Sequence, residues 1–302
     1  MQAFTPLTAF NGRLPLSTAY VYTKQEIYGF LNAVVANPGN YGVPDANRQH
    51  LAMLRDNIVA LGVPDGALYI RDTPRQQLLR QQGVVALSPT NAIPWVAKQE
   101  RYFLMFDLLG VFLSLCGPAP ANATARNYHL PLVAVYARWC GTLAASKGKT
   151  PTVAQITWGV VGGATHSFLG ASAQGYDNGG NWPNLVKQTR FNYVNGGGLL
   201  HPPWGAFNDS PKIHADGAAG THFGNCGETY PFLYILTQNS TFTRGNAQGI
   251  AVKVAKCTPR TPQTPYDAAF GSTLWDTARM HPCDNCAELI NTNGGTLANF
   301  QL

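Results

Sequence analysis

Apolar residues recur at helical spacing through the first half of the chain and at alternating spacing through parts of the second. Ile27, Phe30, Leu31 and Val34 share one face of a predicted helix that ends near Pro38-Gly39. Thr23 to Glu26, just before it, matches a capping box, in which each residue satisfies an orphaned N–H of the first turn. Leu51, Leu54, Ile58 and Leu61 predict a second helix from about Asn47 to Leu61. Arg101 to Leu115 and Leu130 to Ala145 are two further helical segments. Pro131 suits the second of these only in its first turn. From Ala145 to Thr152 the composition turns to Ser, Lys, Gly and Pro. That change divides the chain into a mainly helical region, 1–147, of unassigned role and a second domain, 148–302.

Beyond the boundary the periodicity changes. Val153 to Val161 is rich in β-branched and aromatic residues and reads as a strand. Gly170 to Pro183 is a loop, and Arg190 to Val194 reads as another strand, ending in Gly196-Gly197-Gly198. Phe232 to Thr237 is apolar and helical, and Gly249 to Ala255 alternates as a strand. Pro282 to Asn291 is a helix closed by Asn293-Gly294. The order strand, strand, helix, strand, helix predicts an α/β class.

The chain has 302 residues, of which 45% are hydrophobic, which excludes a disordered protein. The formal charge of +6 is unevenly spread. Residues 1–150 hold 13 Lys+Arg and 7 Asp+Glu, while 151–302 hold 8 of each. Arg71, Arg75 and Arg80 come nearest to a basic stripe, but a solvated, Gln-rich helix face explains them as well. The charge permits a nucleic-acid partner without demanding one. The longest apolar run, Tyr102 to Cys116, contains Asp107. It falls short of the ~20 residues that cross a bilayer, so it reads as a core helix and no membrane partner is expected. No charged n-region with an apolar h-region opens the chain. An intracellular protein with reduced thiols is therefore expected, and the sequons at Asn122, Asn208 and Asn239 are then chance matches.

Reduced thiols are free to bind metal. Cys283 and Cys286, spaced Cys-x-x-Cys behind Pro282, fall on one face of the last predicted helix. The positive end of that helix favours thiolate over thiol. Cys226 can supply a third ligand from a distant segment, whereas Cys116 and Cys140 read as core thiols and Cys257 as a buried strand end. Three protein ligands leave a fourth position for water, the layout of a catalytic zinc rather than a structural one. Glu228, two residues from Cys226, can stand beside the metal without binding it. There it can take a proton from water and return it to a leaving nitrogen. His222 is a weaker candidate for a fourth ligand, which would make the zinc structural. His214-Ala215-Asp216 rivals the first motif, but its Asp is one methylene shorter than Glu228.

Cys226-x-Glu228 followed by Pro282-Cys283-x-x-Cys286 resembles the zinc-dependent cytidine deaminase superfamily, which carries His- or Cys-x-Glu and then Pro-Cys-x-x-Cys. The resemblance covers only the C-terminal half. It implies Cys226, Cys283 and Cys286 as zinc ligands and Glu228 as the proton shuttle. It also implies a mixed-sheet, three-layer α/β/α fold with both motifs at helix starts, here preceded by the mainly helical N-terminal region. Pro231 delays the first of those helices to about Thr229. The segment from Cys257 to Met280 is an insertion.

A deaminase needs a wall for a flat base. Trp158, Trp182, Tyr193, Trp204 and Phe207 are available, and Trp204, in the stiff loop His201-Pro202-Pro203-Trp204, is favoured as a pocket edge. Asn192 and Asn195 can meet a sugar hydroxyl or a base edge, and His281 can line the pocket or cap the helix. The expected reaction is hydrolytic deamination of a nucleobase, cytosine before adenine, in single- or double-stranded DNA or in RNA, with Zn2+ as cofactor. The alternatives are a free nucleoside or nucleotide deaminase and a non-enzymatic binding protein with a structural zinc site.

Overall fold

The computed structural model describes residues 4–62, 84–87, 101–144, 150–173, 182–196, 223–232, 243–258 and 264–302. For 84–87, 101–103, 182–186, 193 and 196 it describes the backbone alone. A short hairpin, β1 (Thr8–Ala9) against β2 (Leu14–Pro15), leads into a single turn, α1 (Leu16–Ala19). Helix α2 (Lys24–Ala36) begins at the predicted capping box. Thr23 N–H donates to Glu26 Oε2 at 2.8 Å, and Glu26 N–H donates to Thr23 Oγ1 at 3.3 Å. Helix α3 (Arg48–Leu61) buries Leu51, Leu54, Ile58 and Leu61, the face its spacing predicts.

The third predicted helix begins later than its apolar run. Residues 101–104 form a strand, β4 (Arg101–Leu104), paired antiparallel with β3 (Val84–Leu87). Helix α4 (Met105–Leu115) starts only where Asp107 can cap it, its Oδ2 accepting from Leu104 N–H at 3.0 Å. The fourth begins at Leu130, so that Pro131 lies in the first turn of α5 (Leu130–Ala144), directly after a π-helical turn over Ala125–His129.

The main sheet has the order β6-β5-β7-β8. It comprises β5 (Val153–Val161), β6 (Ala164–Ala171), β7 (Gln248–Lys253) and β8 (Arg279–Met280). Every pairing in it is antiparallel, where the family resemblance implied a mixed sheet. Between β6 and β7 lies α6 (Trp182–Gly196), and after β7 come α7 (Val254–Cys257), α8 (Ala268–Thr277) and, beyond β8, α9 (Asp284–Thr292).

Two strand expectations need correction here. Residues 190–194 are helical, within α6. Arg190, Phe191 and Val194 are buried while Asn192 is exposed, a spacing of i, i+1, i+4 that a helix explains and a strand does not. The strand expected at 249–255 stops at Lys253, and Val254 already belongs to α7. Strand β6 was not anticipated, and Gly170 and Ala171 belong to it rather than to the loop expected from Gly170.

Side-chain alternation along β5 sends two sets of groups to opposite faces. Trp158 stacks on His129, the residue before α5, with ring centroids 3.9 Å apart. Gln155 lies on the other face, against Gly227 and Gly249. The edge of β6 is covered rather than open, since Leu169 N–H donates to Ser114 Oγ of α4 at 2.9 Å. One hydrophobic core runs from Ala9 to Phe300 and includes residues on both sides of 145–152. Tyr20 Oη donates to the Cys257 carbonyl and Trp139 Nε1 to the Ala19 carbonyl, each at 2.7 Å. Among the described residues, no helix is long and apolar enough to cross a membrane.

Candidate metal centre

Gly224 to Glu228 forms a tight turn against β5 and β6. Gly224 sits at φ +87°, where a side chain would meet Phe191 N at 2.6 Å, so only glycine fits. Gly170 of β6 lies so close under the Gly227 carbonyl that a Cβ there would stand 2.3 Å from it. Residues 229–232 are helical, the start that Pro231 predicted. Glu228 is the residue before this helix, and its carbonyl accepts from Phe232 N–H at 3.0 Å.

The second motif arrives along a different route. Strand β8 pairs with β7 through Ala251 and Met280, and four residues later, at Asp284, the chain enters α9. Cys283 is the N-cap of α9 rather than a residue within it, so Pro282 lies before the helix and not in its first turn. Cys286 then stands at the third helical position, which turns its side chain back toward the cap, as in a capping box.

These two routes bring three sulfurs together. The Sγ atoms of Cys226, Cys283 and Cys286 all lie within 4.8 Å of one another, and Cys226 and Cys283 are 3.4 Å apart. A disulfide needs about 2.0 Å, so the thiols are unbonded, as are all six cysteines of the chain. Three thiolates sharing a tetrahedral ion at ~2.3 Å would be roughly 3.8 Å apart. The cluster brackets that separation, and its residues fit a metal ion.

The electrostatics of the cluster are asymmetric. Cys283 is held down to about 3, first because the Cys226 and Cys286 thiols donate to it, and further by the amides of Asn285 and Cys286 in the first turn of α9. Its two neighbours are pushed well up by the same contacts. Glu228 is 5% exposed, and burial, reinforced by the charge of Cys283, raises its carboxyl to about 7. Among the described residues no cationic side chain pairs with it. Cys283 is exposed while Cys286 is buried, so the cluster opens to solvent on one side.

Other candidates stand elsewhere. Asn192 is exposed on α6, and His281 is exposed in the segment before Cys283. Trp158 faces α5, across the sheet from Gln155 and Gly227. Trp204, Phe207, His214, Asp216, His222 and Arg71, Arg75 and Arg80 lie outside the described residues, as do the side chains of Trp182 and Tyr193. Cys116, Cys140 and Cys257 are buried core thiols; burial alone lifts Cys257 to about 12.

Sequence reasoning missed Arg190. It is fully buried and ion-paired with Asp107, which is also inaccessible. The signal was present in two places, a single Asp inside an apolar run and a single Arg before Phe-Asn-Tyr-Val. No protein-family model matches the chain, and no curated protein or solved structure matches it either.

Proposed function

We propose that Cys226, Cys283 and Cys286 hold a zinc ion and that Glu228 shuttles protons in the hydrolytic deamination of a nucleobase, cytosine in DNA or RNA. The observation that supports this most is the buried Glu228 carboxyl set against a three-sulfur cluster assembled from two chain segments 57 residues apart. Thiolate is a soft donor, which favours zinc over hard cations such as magnesium or calcium. A zinc ion with three protein ligands supplies a Lewis-acidic fourth position and lowers the pKa of water there.

The rest is the work of the chain. Glu228 takes a proton from the attacking water and gives it to the ring nitrogen of the base. It takes the second proton and hands it to the departing amino group, which leaves as ammonia, so that cytosine and water give uracil and ammonia. The backbone of Glu228 is anchored by the bond its carbonyl accepts from Phe232 N–H, which leaves the carboxyl free to act beside the sulfurs. The exposed side of the cluster at Cys283 is the face from which a base would approach.

Wild type and Glu228→Gln, both loaded with zinc, should be tested on cytidine, single-stranded DNA, double-stranded DNA and RNA. The expected outcome is ammonia release by wild type on at least one substrate, and a loss of at least about 10²-fold in the variant, the usual weight of a general acid–base group. Inert wild type on every substrate would remove the enzyme reading. Activity that falls steeply with added salt points to a polynucleotide, and salt-insensitive activity points to a free nucleoside.

A further inference from the structure

We infer that the buried Asp107–Arg190 pair is a positioning device for the metal centre, through which the N-terminal half of the chain sets the affinity of the site for its ion. This rests on the reading of the three-cysteine cluster as a metal centre. Arg190, on α6, reaches the segment that carries Cys226 and Glu228 at both of its ends. Its Nη1 donates to the Gly224 carbonyl at 3.4 Å, two residues before Cys226, and to the Ala171 carbonyl of β6 at 3.1 Å. Its guanidinium carbon stands 5.0 Å from the ring centroid of Tyr230, two residues after Glu228. Its Nη2 donates to Asp107 Oδ1, and the other oxygen of Asp107 is fixed by Leu104 N–H at the start of α4.

The chemistry of the pair suits orientation better than cohesion. Both side chains are wholly inaccessible, so each has lost its hydration. Apolar side chains of similar volume commonly hold such a core as well or better. What an apolar pair cannot do is offer directed donors to two carbonyls on different strands of chain. The accepting Gly224 carbonyl belongs to a residue at φ +87°, packed so closely on Arg190 and Phe191 that an added Cβ would stand 2.6 Å from Phe191 N. Arg190 therefore fixes where the turn starts, and the turn fixes the Cys226 sulfur relative to the pair on α9. Asp107 holds the guanidinium in place, and its own bonds run to Arg190 and to Leu104 N–H.

The test uses the full-length protein, with zinc as the probe, competed against a chromophoric chelator, and cobalt(II) as a spectroscopic substitute. The double variant Asp107→Leu/Arg190→Met should still fold, with an unfolding midpoint below that of wild type because the Ala171 and Gly224 carbonyls and Leu104 N–H lose their partners. It should bind zinc at least ~10-fold more weakly, the usual range for groups that orient a ligand, with a changed cobalt–thiolate absorption spectrum. Wild-type zinc affinity in a folded double variant would overturn the inference and leave the metal reading intact. Should the double variant not fold, Asp107→Asn decides the matter. It keeps the volume and weakens the hold on Arg190, so weaker zinc binding supports the inference and unchanged binding overturns it. Wild type that binds no zinc removes the metal reading itself, and this inference with it.

Discussion

Asp107 lies against the Arg190 guanidinium at the base of α4, whereas Glu228 lies beside Cys283 and Cys286 with no cationic side chain next to it among the described residues. Both carboxyls are buried. Burial pushes the Asp107 carboxyl up and the guanidinium pulls back against that rise. Burial also pushes the Glu228 carboxyl up, and there the neighbouring charge of Cys283 adds to the rise instead of opposing it. A buried carboxyl with its own cation completes a scaffold. One beside thiols carries an uncompensated charge when ionised, and on the proposed reading a bound cation would compensate it. The two sites are therefore expected to answer mutation in opposite ways.

The largest contrast is in metal content. Cys226→Ser, Cys283→Ser and Cys286→Ser should each lose bound zinc, measured as zinc per chain after gel filtration, because hydroxyl oxygen is a poor substitute for thiolate. Cys257→Ser, which alters a core thiol, should keep it. Retention of zinc by all three cluster variants would show that the ion, and with it the special standing of Glu228, lies elsewhere.

Next in size is the cost of breaking the paired site. Asp107→Ala leaves a buried guanidinium without its partner, and the expected destabilisation is about 3–5 kcal/mol, read from denaturant unfolding. A loss below about 1 kcal/mol would mean that Arg190 finds another counter-charge, and the contrast with Glu228 would weaken.

A third buried titratable group extends the comparison to one that stays neutral. His129 is stacked on Trp158 and lies 3.3 Å from Ser167 Oγ, and burial lowers it from 6.5 to about 3. Between those values the unfolded chain binds a proton that the folded chain refuses. The contribution of His129 to stability is therefore complete above pH 6.5 and is lost as the pH falls toward 3. Across that window the slope approaches about 1.4 kcal/mol per pH unit for one full proton. His129→Phe keeps an aromatic ring on Trp158 and should flatten the profile between pH 6.5 and 4.5 relative to wild type. Parallel profiles would show that the folded protein protonates His129 readily.

How much of this could be read from the chain depended on the range over which each feature is specified. The Thr23–Glu26 box is a local rule, and the structure has it bond for bond. The three-cysteine cluster was legible because thiols that could hold a metal are recognised by residue type, even across 57 positions. Arg190 to Val194 was misread because Phe191 and Tyr193 alternate within a five-residue window, too short to display the helical repeat of α6. At Arg101 the apolar run continued through a strand into a helix, and only the Asp107 cap marked the change. The Asp107–Arg190 pair spans 83 positions with no periodicity to announce it. A lone charge in an apolar run says that a partner exists without saying where.

The smallest expected effect is the sharpest test of the contrast. Glu228→Gln preserves shape and replaces a carboxyl that no cation among the described residues neutralises with an amide that carries no charge. In metal-free protein the substitution should leave the unfolding free energy unchanged or raise it by up to about 1 kcal/mol, since relieving a buried charge that has no counter-ion seldom destabilises. The same change at the scaffold site, Asp107→Asn, should lower it. Zinc should then stabilise wild type and Glu228→Gln alike by mass action, because both keep the three sulfurs. If metal-free Glu228→Gln instead loses more than about 1 kcal/mol, the carboxyl is held by a structural partner of its own. Glu228 would then belong with Asp107 as a packing group, and the case for a proton carrier beside the sulfurs would fail on stability measurements alone, before any substrate is tried.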